Sequence, residues 1–139
     1  MSTAPHVICS HVELALVGAH GAMPVDAELR YDPSDPYAVA IAFMIHGSEV
    51  VWVFGRDLLL HGVSEPVGDG DVQVLPSIDA DGRAQVLVAL TAPTGQALVE
   101  ARARDVLDFL TLTTKAVWPG TEGDRLSADA AIAAILVGD

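Results

Sequence analysis

At 139 residues with 51% hydrophobic side chains, the chain is long enough and apolar enough to bury the core of one domain, residues 1–139. Seven basic against nineteen acidic residues give a formal net charge of −12, which disfavours nonspecific nucleic-acid binding and attraction to anionic membranes. A single cysteine, Cys9, excludes an internal disulfide and a CxxC metal site.

The first part of the sequence predicts extended structure. Residues 6–17 are apolar or β-branched almost throughout, which predicts a long first strand. A loop is expected at 18–24, followed by a short extended segment at 27–31. The stretch DPSDP at 32–36 combines prolines with turn-forming residues, so it ends any regular element.

Residues 37–45, YAVAIAFMI, alternate in the manner of a strand with two different faces. The bulky side chains at odd positions would face the core, whereas the alanines and Met44 at even positions form a flat face suited to close packing. HGSE at 46–49 is a tight connection to the apolar run at 50–54. Together these residues predict a β-hairpin.

The stretch VWVFGRDLLLHG, residues 51–62, allows two interpretations. An arginine, an aspartate and a histidine lie within six residues and have the chemistry of a catalytic group. Alternatively, Gly55 ends the strand and residues 56–62 form a short helix that packs through its leucines, with Gly62 in the left-handed conformation common just past a helix end. The helix explains nearly every residue, so we favour packing over catalysis.

The second half begins with strands and turns. Strands are predicted at 72–75, 84–90 and 96–101, with turns at 79–82 and 92–95 between them. These connections are too short for crossover helices, so the strands are expected to pair antiparallel.

Two helices are predicted at the end of the sequence. Residues 103–117 carry an apolar stripe at helical spacing, formed by Val106, Phe109, Leu110, Thr113 and Val117. Ser127 is placed to cap a second helix that is apolar nearly all round. The predicted class is α+β, with mostly antiparallel strands, one short internal helix and two C-terminal helices.

Residue types that perform catalysis or bind metals form no motif in this sequence. The five histidines show neither HExxH nor HxH spacing, and there is no GxSxG and no phosphate-binding glycine loop. The aspartate pairs Asp32/Asp35, Asp69/Asp71 and Asp79/Asp81 stand beside glycine or proline, as is typical of turns. We therefore expect no catalytic residue, no cofactor and no metal site.

No secretory leader is visible, and the longest apolar run, residues 38–45, is far shorter than the ~20 residues that a membrane-spanning helix needs. We therefore expect a cytoplasmic protein without a transmembrane segment.

Four stretches, in order along the chain, carry a resemblance to a known family. They are LRYDPSDPYAV (29–39), VVWVFGRDLLLHGV (50–63), GDGDVQVLPS (68–77) and VWPGTEGD (117–124). Together they resemble the SsgA-like proteins of sporulating actinomycetes over nearly the whole chain. The SsgB branch is preferred, while FGRDLLL, a feature shared with the SsgA branch, leaves the branch open.

The resemblance implies a non-enzymatic regulator of sporulation-specific cell division, acting at the division septum. Its implied partners are the tubulin-like division protein FtsZ, which the SsgB branch brings to septum sites, and an SsgA-type protein. The implied fold is similar to that of whirly-type single-stranded nucleic-acid binders, assembled as a small ring-like oligomer.

A whirly-like fold raises the alternative of a single-stranded nucleic-acid-binding regulator. Arg83, Arg102 and Arg104 offer a local basic patch for that function. The net charge of −12 and the scarcity of aromatic side chains for base stacking weigh against it. We therefore rank nucleic-acid binding below a role as division adaptor.

Two surfaces are predicted to bind proteins. The flat face of residues 37–45 and the apolar segment 128–137 offer more apolar area than a small domain hides, so we expect a homo-oligomer, with a trimer preferred. The connector after the helix 103–117 contains Trp118, Gly120 and Glu122 as candidate partner-binding residues. Trp118 is interpreted as pinned in its own core rather than in a partner's pocket, leaving Gly120 and Glu122 exposed.

Overall fold

A computed structural model of the chain describes residues 6–18 and 21–123. The strands in these ranges are β1 (Ile8–Gly18), β2 (Gly21–Tyr31), β3 (Ala38–Ile45), β4 (Ser48–Gly55), β5 (Val67–Asp69), β6 (Val72–Ile78), β7 (Ala84–Ala92) and β8 (Gly95–Arg102). The helices are α1 (Arg56–Gly62) and α2 (Ala103–Ala116). The second C-terminal helix, predicted at 128–137 with Ser127 as its N-cap, lies outside the described residues.

All strand pairs in the described ranges are antiparallel and belong to one eight-stranded sheet. Its order is β4-β3-β2-β1-β8-β7-β6-β5, so the chain forms two four-stranded meanders. The meanders join where Ala15–Val17 of β1 pair with Leu98–Glu100 of β8. This confirms the predicted mostly antiparallel α+β architecture.

The sheet is curled, because the short helix α1 connects β4 to β5, the two strands at its opposite edges. α1 contacts β4, β5 and β6, so both edges lie close to the same seven-residue helix. Alternating side chains of the strands fill the inside of the curl, and α2 covers β1, β7 and β8.

The helical stripe is where it was predicted, and the alternation of β3 is confirmed for Val39, Ile41 and Phe43, which are buried. Tyr37, also predicted to face the core, precedes β3 and is half exposed. The predicted stripe of α2 is buried as well, namely Val106, Phe109, Leu110, Thr113 and the following Val117. Helix α1 occupies the predicted range, with Leu59 in the core and its neighbouring leucines partly buried against it.

The loop predicted at 18–24 and the short segment at 27–31 are wrong, because β2 begins at Gly21 and pairs with β1 along its whole length. Pro24 suggested a loop, since proline cannot donate to a ladder. It is tolerated because β3 pairs with β2 only at Ala27–Arg30, which leaves Pro24 beyond that second ladder.

One further strand was missed and another was predicted too short. β5, at Val67–Asp69, was not predicted, because its residues lie among glycines and a proline that indicate turns. β6 continues to Ile78 rather than ending at residue 75, and it pairs with β7 along that whole length.

The left-handed conformation predicted for Gly62 is also wrong. Gly62 lies inside α1, is buried, and does not have a positive φ. A Cβ atom at this position would lie 2.2 Å from Val74 Cγ1 and 2.5 Å from Val74 Cβ. Glycine is therefore required by the close approach of α1 to β6, not by backbone conformation.

Candidate functional site

Arg56, the first residue of α1, is fully buried. Its Nη1 donates hydrogen bonds to the carbonyl oxygens of Thr113 at 3.0 Å and Val117 at 2.7 Å. These carbonyls belong to the last turn of α2 and its C-cap, where a helix has a partial negative charge, and the Thr113 carbonyl also accepts the backbone N–H of Val117. Arg56 therefore caps α2 from a distant part of the chain.

Glu122 is the carboxylate partner of the Arg56 guanidinium, whose Nε has no hydrogen-bond partner among the described residues. Arg56 Nη2 donates to Glu122 Oε2 at 2.8 Å, and Glu122 is itself buried. Glu122 Oε1 accepts a hydrogen bond from the backbone N–H of Gly120 at 2.8 Å. The hydrogen bond from Arg56 holds the pKa of the Glu122 carboxyl below its usual range, although burial acts in the opposite direction.

The segment between β2 and β3 packs against the same arginine. The Arg56 guanidinium carbon lies 5.0 Å from the centre of the Tyr31 ring, a cation–π geometry. The Tyr31 hydroxyl donates to the carbonyl oxygen of Pro36 at 2.9 Å. The backbone N–H of Arg56 donates to the carbonyl oxygen of Tyr37 at 2.7 Å. Three of the four stretches that carry the family resemblance thus meet at one buried charge.

The connector after α2 is held in a turn that exposes Trp118. The backbone N–H and the hydroxyl of Thr121 both donate to the Trp118 carbonyl oxygen, at 3.0 Å and 2.6 Å. Trp118 is 66% exposed, and Gly120 is exposed with φ of 93°. We call residues 118–121 the Trp118 turn.

The structure changes the roles predicted for two of the three candidate residues. The favoured placement of Trp118 in the core is wrong, and so is the exposed position of Glu122, which is buried on Arg56. Gly120 is exposed, as predicted. Sequence reasoning did not find Arg56, whose carboxylate partner is 66 residues away and gives no local signal.

A second surface is the outer face of β3 and β4. Ala40 of β3 stands opposite Val53 of β4, and Ala42 opposite Val51, on the face away from the core. Val53 is 61% exposed, and β4 is an edge strand of the sheet. Of the alanines predicted to form a flat face, Ala42 is buried and Ala38 and Ala40 are half-buried, so the exposed apolar part of this face is formed by Met44, Val51 and Val53.

Two of the aspartates that were interpreted as turn residues, Asp79 and Asp32, accept backbone hydrogen bonds in turns, whereas Asp69 is the last residue of β5. Asp79 Oδ1 accepts the backbone N–H groups of Asp81 and Arg83, each at 2.9 Å, and Asp32 Oδ1 accepts that of Ser34 at 2.9 Å. Within residues 6–18 and 21–123, no group of three His, Cys, Asp or Glu side chains is placed to hold a metal. In the same ranges, no helix has the length and hydropathy needed to cross a membrane.

The family model for "Streptomyces sporulation and cell division protein, SsgA" matches residues 25–122, which run from within β2 to just past the Trp118 turn and include Arg56 and Glu122. The chain belongs to the SsgA family. Proteins named sporulation-specific cell division protein SsgB are similar to it along nearly their whole length. The relative from Frankia casuarinae is 45% identical over 133 residues, 94% of this chain and 92% of the relative. The relative from Streptomyces coelicolor is 46% identical over 127 residues, 91% of each chain.

Solved structures show the same SsgA-family fold. One is described as "Mutations in SsgB correlate to longitudinal cell division during sporulation of Streptomyces coelicolor". It has a TM-score of 0.83 and 43% identity, and covers 90% of this chain and 99% of its own. An SsgA-like sporulation-specific cell division protein from Thermobifida fusca gives a TM-score of 0.86 at 36% identity, covering 96% of this chain and 98% of its own. The predicted family is confirmed, and the chain is a sporulation cell-division protein.

Proposed function

We propose that this SsgA-family chain is a non-enzymatic adaptor that positions the FtsZ division machinery, together with an SsgA-type protein, at sporulation septa. The observation that carries the proposal is the similarity to proteins named SsgB, at 45% identity across more than nine tenths of both chains. The names of these relatives describe cell division and no reaction. An adaptor needs fixed, exposed surfaces rather than reactive groups.

The Trp118 turn has the properties of such a surface. Tryptophan is enriched among the residues that dominate binding energy at interfaces, and here it is 66% exposed on a turn with internal hydrogen bonds. The buried carboxylate of Glu122 holds the N–H of Gly120, so the turn is ordered before a partner arrives. We assign docking to Trp118 and Gly120, and a supporting role to Glu122.

Replacing Trp118 by alanine is expected to impair septum placement without unfolding the protein. The side chain is mostly exposed, so its loss removes few contacts within the chain. The test complements a strain lacking the gene with the variant, then images septa in sporulating hyphae. Met23→Ala, at a 53% exposed residue of β2, is the matched control and should restore normal septa. Normal septa with Trp118→Ala would remove the turn from the docking surface.

Gly120→Arg is a poorer probe of the same surface. The φ of 93° at Gly120 disfavours any other residue, so a side chain there strains the backbone as well as altering the surface. A septation defect from that variant would mix a change of fold with a change of contact.

We further propose that the chain forms a homotrimer through the outer face of β3 and β4. An exposed apolar face beside an unpaired strand edge is seldom left open by a soluble protein. Light scattering is expected to give three times the 14.5 kDa chain mass, and Val53→Glu is expected to reduce it, because the carboxylate would be buried between subunits. A monomer mass for the wild-type protein would contradict this proposal.

The relationship to whirly-type folds remains a prediction from the family resemblance. The comparisons lend no support to the alternative of a single-stranded nucleic-acid-binding regulator. The net charge of −12 with one lysine continues to weigh against it.

A further inference from the structure

A cleft of about 600 Å³ lies where β7 begins and β8 passes into α2. It is lined by Arg83, Ala84, Arg102, Ala103, Arg104, Leu107 and Asp108. Three of the seven basic residues of an otherwise acidic chain thus surround one cavity. Such a concentration of positive charge is unexpected in a protein with a net charge of −12.

Arg83, Arg102 and Arg104 have no ion-pair partner among residues 6–18 and 21–123, where the salt bridges involve Arg30 and Arg56. All three are exposed. Their donors are therefore available to an anion that comes from outside the chain.

Part of the cleft beside the three arginines is apolar. Leu107 is 48% exposed and borders the cleft beside two alanines. Ile78, which pairs with Ala84 across the β6–β7 ladder, is 71% exposed. A ligand that matches this surface carries carboxylates for the arginines and an aliphatic side chain for the apolar part.

We propose that this cleft binds an acidic peptide segment of another protein, with an aliphatic residue between its carboxylates. Arginine binds carboxylates with two parallel hydrogen bonds, which suits short acidic segments. A nucleic acid fits less well, because no aromatic side chain lines the cleft and a long phosphate backbone would meet the acidic surface around it. Arg102 also lines an adjoining cleft together with the acidic residues Glu13, Asp79 and Glu100, which limits its role in peptide binding.

The cleft is separate from the Trp118 turn. The two lie at opposite ends of α2, a helix of 14 residues and hence about 20 Å long. The inference therefore goes beyond the proposed docking surface and does not depend on which division protein binds there.

The test is a fluorescence anisotropy titration with a labelled peptide of Asp-Leu-Glu repeats, using the full chain. We expect salt-sensitive binding to the wild-type protein, weakened about tenfold by each of Arg83→Glu and Arg104→Glu. A peptide of Asn-Leu-Gln repeats of the same length should not bind. Lys115→Glu, on the same helix near its other end, changes the net charge equally and should bind within about twofold of wild type.

Three results would overturn the proposal. The first is equal binding by the wild type and the Arg83→Glu/Arg104→Glu double variant. The second is binding of the amide peptide as well as the acidic one. The third is binding of oligothymidine, lost in the double variant, without binding of the acidic peptide. Unchanged melting temperatures of the variants show that the fold is intact.

Discussion

Glu122→Gln is expected to lower the free energy of unfolding by about 3 kcal/mol at neutral pH. Arg56 is fully buried, and in the described residues its carboxylate partner is Glu122. Removing that partner leaves a buried positive charge without compensation, which costs far more than the loss of a surface ion pair. Denaturant unfolding monitored by circular dichroism measures the change. Glu122→Arg should be worse, because it places two guanidinium groups together.

Glu28→Gln is the matched control for this prediction. Glu28 pairs with Arg30, which also contacts Glu49, and about a third of each side chain of the Arg30–Glu28 pair is exposed. Its loss should change the free energy of unfolding by less than about 1 kcal/mol. A comparable loss of unfolding free energy from Glu28→Gln and Glu122→Gln would show that the buried Arg56–Glu122 pair stabilises the fold no more than a partly exposed pair.

Gly62→Ala is expected to destabilise the fold by about 2 kcal/mol or more. The added methyl would overlap Val74, whose side chain is fully buried in the core. The helical preference for alanine over glycine, about 1 kcal/mol at most, offsets only part of this cost. Thermal unfolding of the purified variant measures the effect.

Gly18→Ala provides the control for steric overlap. A Cβ atom at Gly18 meets no atom of the described residues within 4 Å, and its φ is not in the left-handed region. The melting temperature should therefore stay close to that of the wild type. An equal loss at both glycines would refute the overlap with Val74 as the cause.

Most strands and both described helices follow from local patterns, and the exceptions have physical reasons. The alternation of β3 and the stripe of α2 are decided by burial, which the residue types already encode. The start of β2 could not be predicted, because Pro24 indicates a loop unless β3 is known to stop pairing before it reaches Pro24. A glycine at position 62 is consistent with either a left-handed helix end or a close packing contact, and the close approach of α1 to β6 shows that it is the contact.

The candidate site was predictable only in part. The sequence indicated the connector after α2, and it placed Gly120 on the surface as observed. It could not pair Arg56 with Glu122, since the two lie 66 residues apart and meet only after the sheet has curled. Once Glu122 is bound inside, the short turn orients Trp118 outward, opposite to the favoured prediction.

The measurement that most directly tests the central role of the Arg56–Glu122 pair is the difference in unfolding free energy between the wild type and Glu122→Gln across pH. The pKa of Glu122 is lowered in the folded state, so the carboxylate stabilises the fold above its unfolded pKa, about 4.3, and this contribution is lost as the pH falls through the lower folded value. We expect a large, constant difference at neutral pH that shrinks below pH about 4 and approaches zero in stronger acid. A difference that stays the same from neutral to acid pH would contradict this expectation.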